Sequence, residues 1–451
     1  MPHTPRWIDP GPLEQFTPPA LSSPSLRPTQ NALYIPLNEV AAPSGVSRVI
    51  FGGDWAAVRE FSEIADSEPS SLYGALHDRI RNADLAVVNL ECPLGGDDPI
   101  PKDGPNFRCE PSCAAALSRG GFHVATLANN HIFDQGASGL RATLKACHDA
   151  GLMTVGAGGD IAHAGAPLFV KAGGHRIGLL ALADTEEGMA GRESGGAAPV
   201  FEPHTLDRCR QLAHHADIAI VIVHGGKEYA PVPPPYWYEQ LTTIAATGVD
   251  AVIGHHPHVP QGLILADGPG AGRVPVVFST GNFIFPPREP TAVMSAWMSL
   301  GYMVELQLTG TGIAALELVP YRIDPPVGIR GFRGGQIETF AQFIEQVSGP
   351  LSEPDRVEAW FNAAVDYFWE QQWRRRVEGL TRKLCRDDQA GLQHGRSHFR
   401  SRPHATLIDR TIERKLHGTF GNSPASITQP LKQWFKGTWP VVQGELYNPE
   451  S

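Results

Sequence analysis

Residues 217–224 read Asp217-Ile-Ala-Ile-Val-Ile-Val-His224, six apolar residues, five of them β-branched, closed by an acid and a histidine. The run is far short of the ~18 residues that a membrane helix needs. It lacks the polar alternation of a strand with one wet face. It therefore reads as a short strand buried on both sides, as in the middle of a parallel sheet. Upstream, the same reading applies to Arg48–Asp54, Ala83–Glu91, Val124–His131 and Ile177–Ala183; downstream, to Ala251–Gly254 and Val274–Ser279. Helical periodicity fills the gaps at Leu72–Asn82, Cys113–Arg119, Ser138–Ala150, Leu206–His215 and Tyr236–Thr247. Strand and helix in alternation predict an α/β domain over residues 46–335. Tyr302–Leu308 and Ala314–Val319 alternate about the turn Thr309-Gly-Thr-Gly312, as an antiparallel pair does, so the sheets should be mixed.

Outside this block the composition changes. Residues 1–45 are rich in Pro, Ser and Thr and read as an extended N-terminal arm. Residues 336–451 read as a helical extension, in which Trp360, Phe361, Val365, Phe368, Trp369 and Trp373 recur at helical spacing. Such a stripe packs a core. Two to four helices are expected, covering the α/β domain or joining a second copy in a homo-oligomer. The extension is nearly neutral, at +1, whereas the rest of the chain carries −11. Between Arg374 and Lys415 lies a basic stretch, including Arg374, Arg375, Arg376, Arg382, Arg396, Arg400 and Arg402. It is read as a solvated face, with anion binding or contact with the acidic domain as the alternatives.

With 42% hydrophobic and 19% charged residues among 451, disorder throughout is excluded. A net charge of −10 argues against a general nucleic-acid binder. No apolar stretch is long enough for a membrane span, and Met1–Pro12 show neither a basic nor an apolar leader region. Six scattered cysteines fit reduced thiols, and a cytoplasmic location is expected.

The chemistry gathers at the strand ends. One run ends at Asp54, another at Glu91, a third at Asn129-Asn130-His131 with Asp134 following, a fourth at His224, and a fifth at His255-His256-Pro257-His258. Sites in α/β sheets form beyond the carboxyl ends of the strands. Burying several unpaired polar groups together is costly, and a shared metal removes that cost. Carboxylate, amide and imidazole donors without thiolate suit one or two Mn, Fe or Zn ions in an open site.

These segments resemble the CapA family of bacterial capsule (poly-γ-glutamate) synthesis proteins, which is related to the calcineurin-like metallophosphatases. The resemblance rests on Gly53-Asp54, Asn89-Leu-Glu91-Cys-Pro-Leu94, Asn106-Phe-Arg108 with Pro111, Leu127–Gly136, Thr143–Gly158, His224–Tyr229, Gly254–Gln261 and Ser279–Phe283, in that order. It implies a metallophosphatase-like sandwich of two mixed β-sheets flanked by helices. It further implies that Asp54, Glu91, Asn130, His224, His256 and His258 are metal ligands, with Glu91 bridging. His131 would be the general acid, oriented by Asp134, while Arg108, Glu228 and Tyr229 would contact substrate or support the ligands. The expected activity is hydrolysis of a phosphoester or a related acyl or amide bond in a small anionic substrate. The alternative is a non-hydrolytic component of poly-γ-glutamate synthesis that binds a glutamate-type polymer or a ligase. The phosphatase pattern Asp-x-His is absent here, where Asp54-Trp55-Ala56 stands.

Overall fold

The Ile218–His224 strand lies inside a seven-stranded sheet, in a computed structural model that describes residues 19–37, 46–64, 68–102, 104–185, 187–268, 272–286, 292–385 and 389–442. Its neighbours, His175–Ala183 and Ala251–His255, run parallel to it, and Arg273–Val277 continues the parallel set. A second sheet of nine strands holds another parallel set: Ser47–Trp55, Leu85–Leu90, Val124–Thr126 and Met153–Val155. Leu300–Thr309 and Gly312–Asp324 extend that sheet as the expected antiparallel pair. The chain thus forms the anticipated sandwich of two mixed sheets with helices around it.

Double burial follows from the alternation of side chains along a strand. Ile218, Ile220 and Ile222 enter the core between the sheets, while Ala219, Val221 and Val223 enter the layer beneath Trp237, Leu241 and Ile244 of the Pro235–Ala245 helix. Every residue of this strand is buried. The sequence has no polar alternation because neither face meets water.

Three segments differ from expectation in detail. The helix read at Leu72–Asn82 breaks into Pro69–Tyr73, a short 3-10 turn and His77–Arg81. Gly74 takes a positive φ of 51° there, with Ile329 O so close that a Cβ would sit 2.3 Å from it. The described part of the N-terminal segment is extended but joins both sheets: Leu21–Ser22 pairs with Leu263–Asp267, and Leu33–Pro36 with Gly312–Asp324. After residue 334 the described residues form six α-helices instead of two to four: Gly335–Ser348, Pro354–Phe368, Arg374–Leu384, Gln389–Arg400, Arg402–Leu416 and Ala425–Lys436. Pro354, Pro403 and Pro424 mark the starts of three of them, as proline's missing N–H allows. The aromatic stripe is core. Trp360, Phe361, Val365, Phe368 and Trp373 cluster with Ala230 and Val232 of the α/β region. Among the described residues no helix is long and apolar enough to cross a membrane. The six cysteines are free thiols, and only Cys385 is exposed.

Candidate metal centre

Parallel strands deliver their carboxyl ends to one edge. In the nine-stranded sheet Asp54 pairs with Asn89, and in the seven-stranded sheet His224 pairs with His255. The two sheets meet here. Asp54 N donates to Gly281 O at 3.1 Å, and Phe283 N donates to Asp54 O at 2.8 Å. Gly53 makes this approach possible, since a Cβ on it would lie 2.2 Å from Gly281 O. The local register shift between Phe51 and Asp54 turns the acid towards the opposite sheet.

Around this seam Asp54, Glu91, His224, His256 and His258 are buried together. Two ligand groups emerge, Asp54–Glu91–His224 and Glu91–His256–His258, each with its donor atoms within 4.8 Å of one another. Glu91 belongs to both. His224 Nε2 lies 3.4 Å and His258 Nε2 3.7 Å from Glu91 Oε1. His224 Nε2 is 3.1 Å from His256 Nδ1 and 2.9 Å from Asn130 Oδ1. Asp54 Oδ2 is 3.6 Å from His258 Nδ1. His256 and His258 adopt positive φ angles of 99° and 57°, unusual for residues with a side chain. Strain of this kind concentrates at functional sites.

The decisive observation is Glu91. Both of its carboxylate oxygens are buried and neither has a hydrogen-bond partner. Burial pushes its carboxyl well above the usual range, and the neighbouring Asp54 and Glu228 add to the push. A protein does not bury an unsatisfied carboxylate among imidazoles without cost. A divalent cation held here would offset the burial of this carboxylate and reverse the electrostatics. The donor set, two carboxylates, three imidazoles and an amide oxygen, fits such an ion. Two of the imidazoles suit such a role: burial holds His224 well below its ordinary value and lowers His256 to about 4, so both rings are neutral near neutral pH, as a metal ligand must be. Asp54 is opposed by burial but is held low by the hydrogen bond from His255 and by the charges of His255, His224 and His258.

Beside this cluster, His131 Nδ1 lies 2.7 Å from Asp134 Oδ2. Phe107 N donates to the same oxygen at 2.7 Å, and the Phe107 ring lies 4.2 Å from the His131 ring. Lys102 pairs with the other Asp134 oxygen and sits 3.2 Å from His131 Nδ1. Asp134 acts to raise the pKa of His131, but the net shift is downward. Burial and then Lys102 lower it, and together they outweigh Asp134. Asn130, His131, Glu228 and His256 open on one cleft of about 110 Å³. Burial opposes the ionised form of Glu228, but Lys227, His256, His258 and His404 bring it down to about 2. Tyr229 lies with its ring 6.3 Å from that of His258.

Arg108 is not brought to the cluster. Its guanidinium bonds Gly96 O at 2.8 Å and Glu110 at 2.6 Å on the surface. Three residues at the centre escaped sequence reasoning. Asn89 donates to Asp54 Oδ1 at 2.8 Å and sits 3.2 Å from His224 Nδ1, linking ligands from the two sheets. As the single polar residue in Leu85–Leu90, it carried a signal. His255 lies 3.2 Å from Asp54 within an already conspicuous histidine run. Lys102 carried no signal, for it reaches Asp134 across 32 positions that include the Cys113–Arg119 helix and the Val124–Thr126 strand.

Residues 48–287 match a family described as bacterial capsule synthesis protein PGA_cap. The chain is 28% identical over 254 residues to the capsule biosynthesis protein CapA of Bacillus anthracis, covering 54% of this chain and 59% of that protein. It is 29% identical over 283 residues to a probable polyglutamine synthesis accessory protein of Mycobacterium tuberculosis, covering 59% and 72%. It spans between half and three-fifths of the length of the Bacillus relatives. A solved phosphatase of Mycoplasma pneumoniae overlaps 68% of this chain and 99% of its own, at 14% identity and a TM-score of 0.37.

Proposed function

The chain belongs to the bacterial capsule synthesis protein family PGA_cap, and from that premise we propose that it is a divalent-metal-dependent hydrolase of a phosphoester or a related acyl or amide bond. The orphaned, buried carboxylate of Glu91 carries this reading. Asp54, Glu91, Asn130, His224, His256 and His258 would hold one or two ions of the Mn, Fe or Zn type, with Glu91 between the two ligand groups. A divalent ion in such a site lowers the pKa of water towards ~7 and polarises the bond under attack.

The other roles belong to the chain. Asn89 holds Asp54 and His224 in place by bonding both. Asp134 engages Nδ1 of His131, which leaves Nε2 to exchange a proton with the substrate. Burial, and then the charge of Lys102, lower the pKa of His131 and favour its neutral ring. An arriving anion opposes Lys102 and favours the doubly protonated ring, whose Nε2–H then goes to the leaving group. Phe107 covers the imidazole and excludes water from one of its sides.

The test is elemental analysis of the purified protein, with turnover of p-nitrophenyl phosphate and of glutamyl anilides. We expect metal to be retained by the parent and by His131→Ala, and to fall sharply in Glu91→Ala. His131→Ala should lose at least ~100-fold in turnover. Absence of metal after reconstitution would sink the proposal. A second reading is favoured by the names of the relatives, which speak of capsule biosynthesis and polyglutamine synthesis. In it the same cleft binds an anionic polymer or a ligase without cutting a bond. Metal retention with no turnover on any substrate, and binding of poly-glutamate, would select it.

A further inference from the structure

The cleft over the metal-ligand cluster is not built by the family-matched region alone. Arg376 of the Arg374–Leu384 helix and Pro403 and His404 at the start of the Arg402–Leu416 helix form one of its walls. Both helices lie outside residues 48–287. The C-terminal extension, including the intervening Gln389–Arg400 helix, is held against the α/β region by several contacts around the site. Gln393 donates to Pro101 O at 2.7 Å, next to Lys102. Arg400 pairs with Glu187 at 3.3 Å, and Arg402 approaches Asp184 at 3.8 Å while its guanidinium lies 4.0 Å from the centre of the Phe201 ring. Lys227 lies 5.1 Å from the Phe368 ring centre and 5.8 Å from that of Trp373.

Charge is distributed unevenly over this lining. It carries Lys102, Lys227 and Arg376 against Glu187 and Glu228. Asp134 engages Lys102 from below, and Arg400 engages Glu187 from the rim. His404 adds an imidazole, and the 15-residue helix that it opens brings its electropositive end to the same wall. A basic stretch read from sequence as a solvated face therefore has one member, Arg376, at the site.

We infer that Arg376 and His404, supplied by the C-terminal extension, bind an anionic group of the substrate, a phosphate or a carboxylate, in the cleft that they line together with Asn130, His131 and His256. The inference rests on the hydrolase reading for the word substrate, but the anion subsite stands on its own residues. A guanidinium offers a fork of donors matched to either oxyanion. Binding energy from such a group positions the bond to be cut. Arg376 is exposed on its helix and His404 half-buried, so neither substitution removes core.

The experiment titrates inorganic phosphate, and separately glutarate, into the Mn-reconstituted full chain by calorimetry. The variants are Arg376→Gln, His404→Ala and, as a control in the same basic stretch, Arg382→Gln. Expected is binding of at least one anion by the parent and by Arg382→Gln. Arg376→Gln should weaken it by roughly ten- to a hundredfold and His404→Ala by a smaller factor, with metal content unchanged. Phosphate alone, or glutarate alone, identifies the chemistry of the group. Equal affinity in parent and Arg376→Gln, or no binding of either anion by the parent, overturns the subsite. Turnover measured on the same samples separates the two proposals. Weakened binding without turnover in any sample supports the subsite and rejects the hydrolase. Turnover with unaltered KM in Arg376→Gln supports the hydrolase and rejects the subsite.

Discussion

At the scale of the residue, the centre is a set of polar groups made affordable by one another. Asp54 and Glu91 are both carboxylates buried in one cavity, yet they behave oppositely. Asp54 has His255 and Asn89 as hydrogen-bond partners and is held low. Glu91 has no such partner and is pushed high. Burial lowers the pKa of His224 and of His256, and that has a consequence for pH. The unfolded chain protonates its histidines near 6.5, whereas His256 in the fold protonates only near 4. Between those values the unfolded state binds more protons, so the fold loses stability as pH falls through that window. Protein stripped of metal by chelator should show a lower Tm at pH 5 than at pH 7.5, beyond any shift in a His256→Gln variant. Identical shifts in the two proteins would refute this.

At the scale of the element, the strand ends do the positioning. Asp54, Asn89, His224 and His255 are register partners in two parallel ladders, so each ladder carries its polar strand ends to the same edge. The seam between the sheets depends on Gly53 touching Gly281 backbone. Gly53→Ala should force that contact apart. We expect a loss of about 1–3 kcal/mol in urea unfolding, the range for overpacking a filled interior. Metal content should fall with it, because Asp54 is the next residue. A variant with parental stability and full metal content would show that the seam can yield.

At the scale of the whole molecule, the extension and the sandwich share one interior. Trp434 stacks on Trp297 at 3.8 Å, and both belong to the core between the sheets together with Phe340, Phe343 and Ile344. Trp434 Nε1 also donates to Tyr229 O at 3.2 Å, tying the extension to the loop beside His258. Ending the chain at residue 335 strips this cover from the core. The truncated protein should aggregate, measured by size-exclusion chromatography and light scattering. A monomeric, soluble product would show that the sandwich closes without it.

Periodicity and strand-end chemistry were legible in the chain because they are local. Ile218–Val223 can be buried on both faces only as an inner strand, and a polar residue at the end of such a strand must be placed beyond the sheet. The alternation about Thr309–Gly312 determined the antiparallel pair in the same way. The amide of Asn130, the histidines at 224, 256 and 258, and the carboxylates of Asp54 and Glu91 were therefore readable as one cluster. Contacts that depend on packing were not. Arg108 could reach a substrate or a carboxylate, and only the tertiary structure chose Glu110. Lys102 and His404 come from segments far from the strand ends and carry no periodic signal of their site. The sign of the His131 shift depended on burial and then on Lys102, since the sequence shows Asp134 three residues away but neither the burial nor the ammonium that the fold brings against both. Pattern determines which face of an element is buried, but only folding in three dimensions sets which distant charge lies beside it.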